Sequence, residues 1–283
     1  MKKVGVVILN YKLKEQALKA IQSVKNSSYK NLQIIVVDNN SQDGIEEEIK
    51  KQKDVEFIQA GNNLGYSGGN NLGIKKALDL GCELVFILNP DTTLEKDSIE
   101  KLALGLERNE AGIVCPKIYF ADTKNIWFAG GKLDLLNVLG SHRGVNEKDE
   151  GQFDEEVETE FASGAAILIK KEVLEKVGLL DDRYFLYYED SDICFRAKKA
   201  GFKIMYIPKA KVFHKNAQAT GLGSSLQDYF ITRNRMLFAS KFLPSRTQFA
   251  LFREALRNLR NPIRRMAFFD FLMGKFGKGS FLI

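Results

Sequence analysis

The first ninety residues alternate short runs of β-branched residues with stretches of helical periodicity, and that alternation admits few folds. Val4–Leu9, Leu32–Val37, Val55–Gln59 and Leu84–Leu88 read as strands. Lys14–Ser27, Ile45–Gln52 and about Asn71–Leu80 read as helices. Strands almost continuous in Val and Ile, without polar alternation, are buried on both faces. The expected class is therefore α/β, with a mainly parallel central sheet and helices on both faces. Ligands of such sheets bind beyond the carboxyl ends of the strands, near a topological switch point. The loops after the strands are where chemistry is sought.

Further along, a helix is expected from Asp97 to about Arg108, and Ile113–Tyr119 reads as a strand. Residues 121–160 are polar and irregular, in the manner of a long loop or hairpin. Phe161–Lys170 reads as a strand, Glu172–Val177 as a helix, and Ser191–Ala200 as a helix stopped by Gly201. From about Leu226 the pattern changes to long helices rich in Arg and Phe. The expected organisation is an α/β domain over 1–225 and a basic, aromatic-rich helical segment over 226–283. The segment holds 11 Lys/Arg against 3 Asp/Glu, a net +8, whereas the remaining residues carry 31 against 33, a net −2. Charge polarised in this way suits an anionic partner surface at one end.

Cys82, Cys115 and Cys194 are odd in number and show no C-x-x-C spacing, which argues against a disulfide framework and a zinc site. The opening run Val4–Leu9 is shorter than a secretory leader core. No stretch approaches the roughly 18 apolar residues of a membrane span. A cytoplasmic protein is expected, peripheral at most to the inner face of the plasma membrane. No nucleic-acid module accompanies the basic segment, so nucleic acid is not an expected partner.

Five constellations could carry chemistry. Asp38 ends a buried strand ahead of the polar turn Asn39-Asn40-Ser41-Gln42-Asp43-Gly44. It suits either a cap of the next helix or a contact to a nucleotide. The Gly/Asn-rich stretch Gly61–Gly73 lets backbone approach a ligand and opens onto a helix N-terminus suited to phosphate. It matches neither G-x-G-x-x-G nor G-x-x-x-x-G-K-[ST]. Asn89-Pro90-Asp91 ends an apolar strand, and its carboxylate suits a turn cap or a hard cation such as Mg²⁺ or Mn²⁺. Glu189-Asp190-Ser191-Asp192 places three carboxylates within four residues, with Glu189 and Asp190 just ahead of a helix. They suit N-capping, or accepting a proton from an attacking hydroxyl. His214 follows an apolar strand; a lone histidine there is more often structural, unless it meets Asp91.

In this order, with Ser163-Gly164-Ala165, Arg233-Asn234 and the ending Gly274-Lys275-Phe276-Gly277-Lys278, the chain resembles family 2 glycosyltransferases of the GT-A fold. The likeness is strongest to the rhamnosyltransferase-like branch. The resemblance implies a nucleotide-diphospho-sugar transferase fold with a C-terminal helical segment. It implies that Asn10, Tyr11 and Asp38 surround the nucleotide, and that Asn63, Gly65, Gly69, Asn71 and Gly73 line the donor site. It places Asn89 and Asp91 at a D-x-D motif, with Asp91 and His214 at a divalent metal. Asp190 matches the base, Glu189 lies beside it, and Gly164 and Glu189 face the acceptor. One departure is that Asn89 replaces the first acid, so Asp91 must carry the charge there.

The implied reaction moves a sugar, rhamnose favoured, from a dTDP- or UDP-sugar to a hydroxyl of a glycan or lipid-linked acceptor, with inversion, in cell-surface polysaccharide synthesis. A non-catalytic donor-binding or membrane-scaffold subunit of a polysaccharide assembly complex is the alternative. Retention of Asp91, Glu189, Asp190 and His214 argues against it. A nucleotidyltransferase would carry a Gly-rich basic loop where Asn10-Tyr11-Lys12 stands. The interleaved Arg and Phe of 226–283 suit either an interfacial helix on anionic lipid or a helix packed on the catalytic domain.

Overall fold

The computed structural model describes residues 1–121, 123–215 and 223–281. Its first part alternates β1 (Val4–Asn10), α1 (Lys14–Lys25), β2 (Leu32–Asp38), α2 (Ile45–Lys50), β3 (Val55–Gln59), α3 (Gly65–Asp79) and β4 (Leu84–Leu88). Next come β5 (Thr92–Leu94), α4 (Ser98–Arg108), β6 (Ile113–Phe120), β7 (Ile126–Phe128), β8 (Gly131–Asp134), β9 (Leu139–His142) and β10 (Val157–Glu158). Then follow β11 (Ala166–Lys170), α5 (Lys171–Val177), α6 (Glu189–Lys199) and β12 (Ile204–His214). The helices α7 (Ser225–Phe242), α8 (Ser245–Arg257) and α9 (Pro262–Leu272) complete the described elements.

One sheet has the order β10-β12-β6-β11-β4-β1-β2-β3, with β5 on β12 and β7 on β6; β8 and β9 form a separate hairpin. β3, β2, β1 and β4 are mutually parallel, as are β6 and β12. β11 runs antiparallel between β4 and β6. The carboxyl ends of β1, β2, β4, β6 and β12 therefore share one edge with the start of β11. Every strand of that edge can deliver a loop to the same place.

Val4, Val6, Val7 and Ile8 are all fully buried, as the unbroken apolar run requires. α3 covers the face of Val7 and Leu9 at close range. A Cβ on Gly73 would lie 2.3 Å from Val7 Cγ1, and one on Gly69 would lie 2.4 Å from Leu9 Cδ1. This close packing explains a difference from the sequence reading, which starts the helix at Asn71. The helix begins six residues earlier, at Gly65. Each internal glycine disfavours an isolated helix by about 1 kcal/mol relative to alanine. Burial against the sheet outweighs that local preference.

A second difference lies at Phe161–Ala165, expected as strand. Pairing of β11 starts only at Ala166. The preceding loop is held instead by Tyr66, Asp190 and Cys194, which bond the backbone of Gly164 and Ala162. The helix expected from Ser191 starts at Glu189, because Tyr188 takes φ 78° and the helical path begins directly after it.

The C-terminal helices pack on the rest of the fold through a shared apolar cluster. Val138, Tyr184 and Tyr188 meet Leu237, Phe238, Leu251 and Phe268 there. α7 also buries Arg233 and Asn234 completely.

Candidate active site

At the ends of β1 and β2, Asn10 pairs with Asp38 in register. Asn10 Nδ2 donates to Asp38 Oδ1 at 3.0 Å, to Ser41 Oγ at 2.9 Å and to Asp43 Oδ2 at 3.0 Å. Asp38 also accepts from the Ser41 hydroxyl, from Ser41 N at 3.2 Å and from Gln59 Nε2 at 3.0 Å. At the start of α2 the Ile45 N–H donates to Asp43 Oδ1 and not to Asp38. Asp38 is therefore the hub of a buried network joining three strand ends, and the helix-cap reading of it falls. Tyr11 stands half-buried beside this network, with the Lys12 ammonium 5.1 Å from its ring centroid.

The sequence reading passed over Asn39, which follows Asp38. Its amide donates to Asn63 Oδ1 at 2.9 Å and to Gly65 O at 3.1 Å, and its carbonyl accepts from Leu64 N at 2.9 Å. Asn63 and Gly65 are thereby fastened to the same edge. The remaining residues expected to line the donor site make packing and anchoring contacts in this fold. Gly69 and Gly73 face β1, as their contacts with Leu9 and Val7 show. The Asn71 side chain donates to Leu180 O at 2.8 Å and accepts from Leu180 N at 3.1 Å, anchoring α3 to the chain beyond α5. Gly69 also comes close to Asn39 at the end of β2, where a Cβ would lie 3.3 Å from Asn39 Oδ1.

Beyond β4, Asn89 and Asp91 form a tight turn into β5 rather than capping a helix. Thr92 Oγ1 donates to Asn89 O at 2.5 Å. β5 then pairs antiparallel with β12, setting His214 opposite Thr92. That register brings His214 Nε2 to 3.1 Å from Asp91 Oδ1, both groups buried. His214 Nδ1 is buried without a partner among the described residues. The two candidates 123 residues apart thus meet, which reverses the structural reading of a lone histidine.

The third group stands at the start of α6. Asp190 Oδ2 accepts from Gly164 N at 3.1 Å, and its Oδ1 accepts from Ser191 N at 2.6 Å. Burial pushes the Asp190 carboxyl above its ordinary range, although these bonds pull it back. Glu189 is buried with Oε2 unpartnered among the described residues. Burial, and next the neighbouring Asp190 charge, hold its carboxyl well above the usual range. Two carboxyl groups that favour a bound proton at one strand edge are what proton transfer near neutrality requires. Tyr66 OH donates to Gly164 O at 2.5 Å, so Gly164 is clamped between α3 and the acid pair.

Trp127 and His142 were also missed. The Trp127 ring lies edge-on to both histidines, with centroids 4.4 Å from His142 and 4.6 Å from His214. His142 Nδ1 lies 3.1 Å from Trp127 O, and burial lowers the imidazole's pKa. The carbonyl can only accept, so Nδ1 carries the proton and Nε2 keeps its lone pair. The only signal in the sequence was rarity: one Trp and two His in 283 residues.

A sequence model of glycosyl transferase family 2 matches residues 4–178. The low-salt glycan biosynthesis hexosyltransferase Agl10 of Haloferax volcanii is 28% identical over 239 residues, covering 82% of this chain and 74% of the relative. The dTDP-rhamnosyl transferase RfbF of Shigella flexneri is 26% identical over 246 residues, covering 83% and 79%. The N-acetylglucosaminyl-diphospho-decaprenol L-rhamnosyltransferase of Mycobacterium tuberculosis is 27% identical over 236 residues, covering 76% and 77%. Among solved structures, GalNAc-T7 with UDP, GalNAc and Mn²⁺ superposes with TM-score 0.63 at 17% identity, over 83% of this chain and 51% of that one. S. aureus TarS gives 0.58 at 14% identity, over 83% and 39%. The chain thus spans about half or less of those two structures, and at such identities the likeness speaks for the fold alone. The expected GT-A fold is the one observed. Family match and fold agree over the strands that carry most of the site, and the chain belongs to glycosyl transferase family 2: it is a glycosyltransferase.

Proposed function

We propose that this transferase moves a hexose, with rhamnose favoured, from a dTDP- or UDP-linked donor to a hydroxyl of a glycan or lipid-linked acceptor in cell-surface polysaccharide synthesis. The observation that carries the reading is the convergence on one sheet edge of an acid–imidazole pair, Asp91–His214, and an acid pair of raised basicity, Glu189–Asp190. The sugar and acceptor classes draw support from the names of the Shigella and mycobacterial relatives.

Asp190 takes the proton of the acceptor hydroxyl while that oxygen attacks the anomeric carbon from the face opposite the diphosphate. One displacement of this kind inverts the centre without a covalent sugar intermediate. Glu189 lies beside the acceptor, next to Asp190 at the start of α6, and its buried carboxyl favours the protonated form. Asn10 and Asp38 fix the floor of the nucleotide subsite, and Tyr11 offers a ring face at its mouth.

Among the described residues no cluster of three or more Asp, Glu, His or Cys is placed to hold a metal. The Asp91–His214 pair nevertheless fits a divalent cation. A buried carboxylate oxygen and an imidazole nitrogen 3.1 Å apart are two groups that would hold such a cation, and Mg²⁺ sites commonly take the remaining ligands from phosphate and water. When bound, the cation would neutralise charge on the departing diphosphate. The test is thermal unfolding with UDP, dTDP, GDP and CMP, each with and without Mn²⁺ or Mg²⁺. A nucleotide at about 100 times its Kd stabilises by roughly 2.7 kcal/mol. A metal-dependent shift with dTDP or UDP, lost in Asp91→Asn, is expected. The absence of any shift would count against a competent donor site.

The same reading places the protein peripherally at the inner face of an anionic membrane. No described helix is long and apolar enough to cross one. α8 and α9 meet through Phe252 and Phe268, and expose Phe249, Leu256, Phe269 and Leu272. Arg253, Arg257 and Arg260 are exposed alongside and form no ion pair with a described residue. Apolar rings flanked by free guanidinium groups suit acyl chains beneath anionic headgroups. Phe249→Ser combined with Phe269→Ser should reduce co-sedimentation with phosphatidylglycerol vesicles at least several-fold. Unchanged co-sedimentation would remove the membrane assignment.

A further inference from the structure

The chain just ahead of the acid pair takes a costly path. Phe185, Tyr187 and Tyr188 have φ of 66°, 67° and 78°. These are left-handed values at three bulky residues within four positions, and such conformations persist only where the surroundings over-determine them. The inverted residues also turn successive carbonyls out of any regular ladder, so those oxygens need donors from elsewhere.

The donors come from α7. Asn234 Nδ2 lies 2.9 Å from Tyr184 O, 2.8 Å from Leu186 O and 2.8 Å from Tyr187 O. Its own carbonyl accepts from Arg233 Nε at 3.0 Å, which fixes which end of the amide faces the loop. The Arg233 guanidinium donates to Tyr184 O at 2.9 Å and Arg183 O at 3.2 Å on one side. On the other it donates to Gly277 O at 2.7 Å. Both side chains are fully buried. Two turns further along α7, Lys241 lies 2.6 Å from Asp181 and also bonds Asp192. α7 therefore grips the strained loop and both of its flanks.

The loop is held from the opposite side by α3. Phe185 O accepts from Tyr66 N at 2.6 Å and from Ser67 N at 3.3 Å. Tyr66 OH reaches Gly164 O, and Gly164 N reaches Asp190 Oδ2. A closed circuit of bonds runs from Asn234 through the loop and α3 to the base itself.

We propose that Arg233 and Asn234 are positioning residues for sugar transfer, holding Phe185–Tyr188 in the strained path that presents Glu189 and Asp190, so that the C-terminal segment is part of the catalytic apparatus. The proposal rests on the assignment of Asp190 as the base. A misplacement of about 1 Å at such a group can lower turnover on the order of 100-fold.

Asn234→Asp keeps the shape of the side chain but replaces its donor by an acceptor facing three carbonyls. Arg233→Lys is the gentler variant, keeping charge while losing the fork. Each is compared with Asp190→Asn for kcat, donor KM, the pH–rate profile and the nucleotide-induced thermal shift. Asn234→Asp should lower kcat roughly 10- to 100-fold, with donor KM and thermal shift within about twofold of wild type. Arg233→Lys should do the same to a smaller degree. The acid limb should move to lower pH, because loosening the loop hydrates Asp190. A purely structural role would lower melting temperature without moving the limb. Variants that fold and bind nucleotide yet keep wild-type kcat and pH limb would overturn the proposal. If Asn234→Asp does not fold, Arg233→Lys decides by the same readings. Asp190→Asn with full turnover would instead sink the base assignment and the proposal with it.

Discussion

Asp190→Asn is expected to lower turnover by roughly 10²- to 10⁴-fold, the usual contribution of a positioned base, while the nucleotide-induced thermal shift stays intact. Asparagine can still accept at Oδ1 from Gly164 N or Ser191 N, so the loop ahead of β11 keeps its anchor. What disappears is the proton acceptor. The wild-type pH profile should agree in sign. Burial raises the Asp190 pKa, so its acid limb lies above the ordinary aspartate range near 3.9. Glu189 and Tyr66 face this carboxyl from α6 and α3, and His142 faces it from β9. An imidazolium at His142 would pull the limb down, but burial keeps that ring neutral to lower pH than usual. Near-normal turnover in Asp190→Asn would show that the proton goes elsewhere.

Glu189→Gln should do two opposite things: weaken transfer about 10- to 100-fold and stabilise the fold. Glu189 is buried with Oε2 unpartnered among the described residues, and burial together with Asp190 raises its carboxyl pKa well above the ordinary range. A folded-state pKa above the unfolded one means that the native state binds the proton more tightly. The associated stability is present below about pH 4 and is lost as pH rises through the folded value. Glutamine carries no charge to lose. The variant should therefore gain melting temperature relative to wild type, and the gain should widen between acidic and alkaline pH. An unpartnered buried polar group costs about 1–3 kcal/mol, so a difference of several degrees at alkaline pH is the expected scale. Parallel melting curves against pH would mean that the carboxyl is solvated after all. The result would place Glu189 among residues kept for activity at the expense of stability.

The four parallel strands were legible because burial on both faces leaves a period-free Val/Ile signature, and Val4–Leu9 is the clearest case. The site loops were legible for a related reason. In a parallel sheet, order along the chain fixes which edge a loop reaches, so Asn10, Asp38 and Asp91 had to share one. Other features depended on contacts between distant segments, which local pattern does not encode. Gly69 and Gly73 look like loop residues in sequence and turn out to be contact points of α3 on β1. His214 could be weighed but not assigned until the β5–β12 register brought it to Asp91. Trp127 and His142 gave no motif, because the short strands β7 and β9 that carry them have no fixed spacing to the rest of the site.

By itself the sequence determined the alternation of strands and helices in the first half, the edge at which chemistry is sought, and the carboxylates and imidazole available to it. These follow from periodicity and from the geometry of parallel strands. Only the tertiary structure decided which of those groups meet, which glycines serve packing, and that Arg233 and Asn234 hold the loop ahead of the acid pair. Those outcomes rest on burial and hydrogen bonding between residues tens of positions apart, where free energy is set by the neighbours that folding supplies.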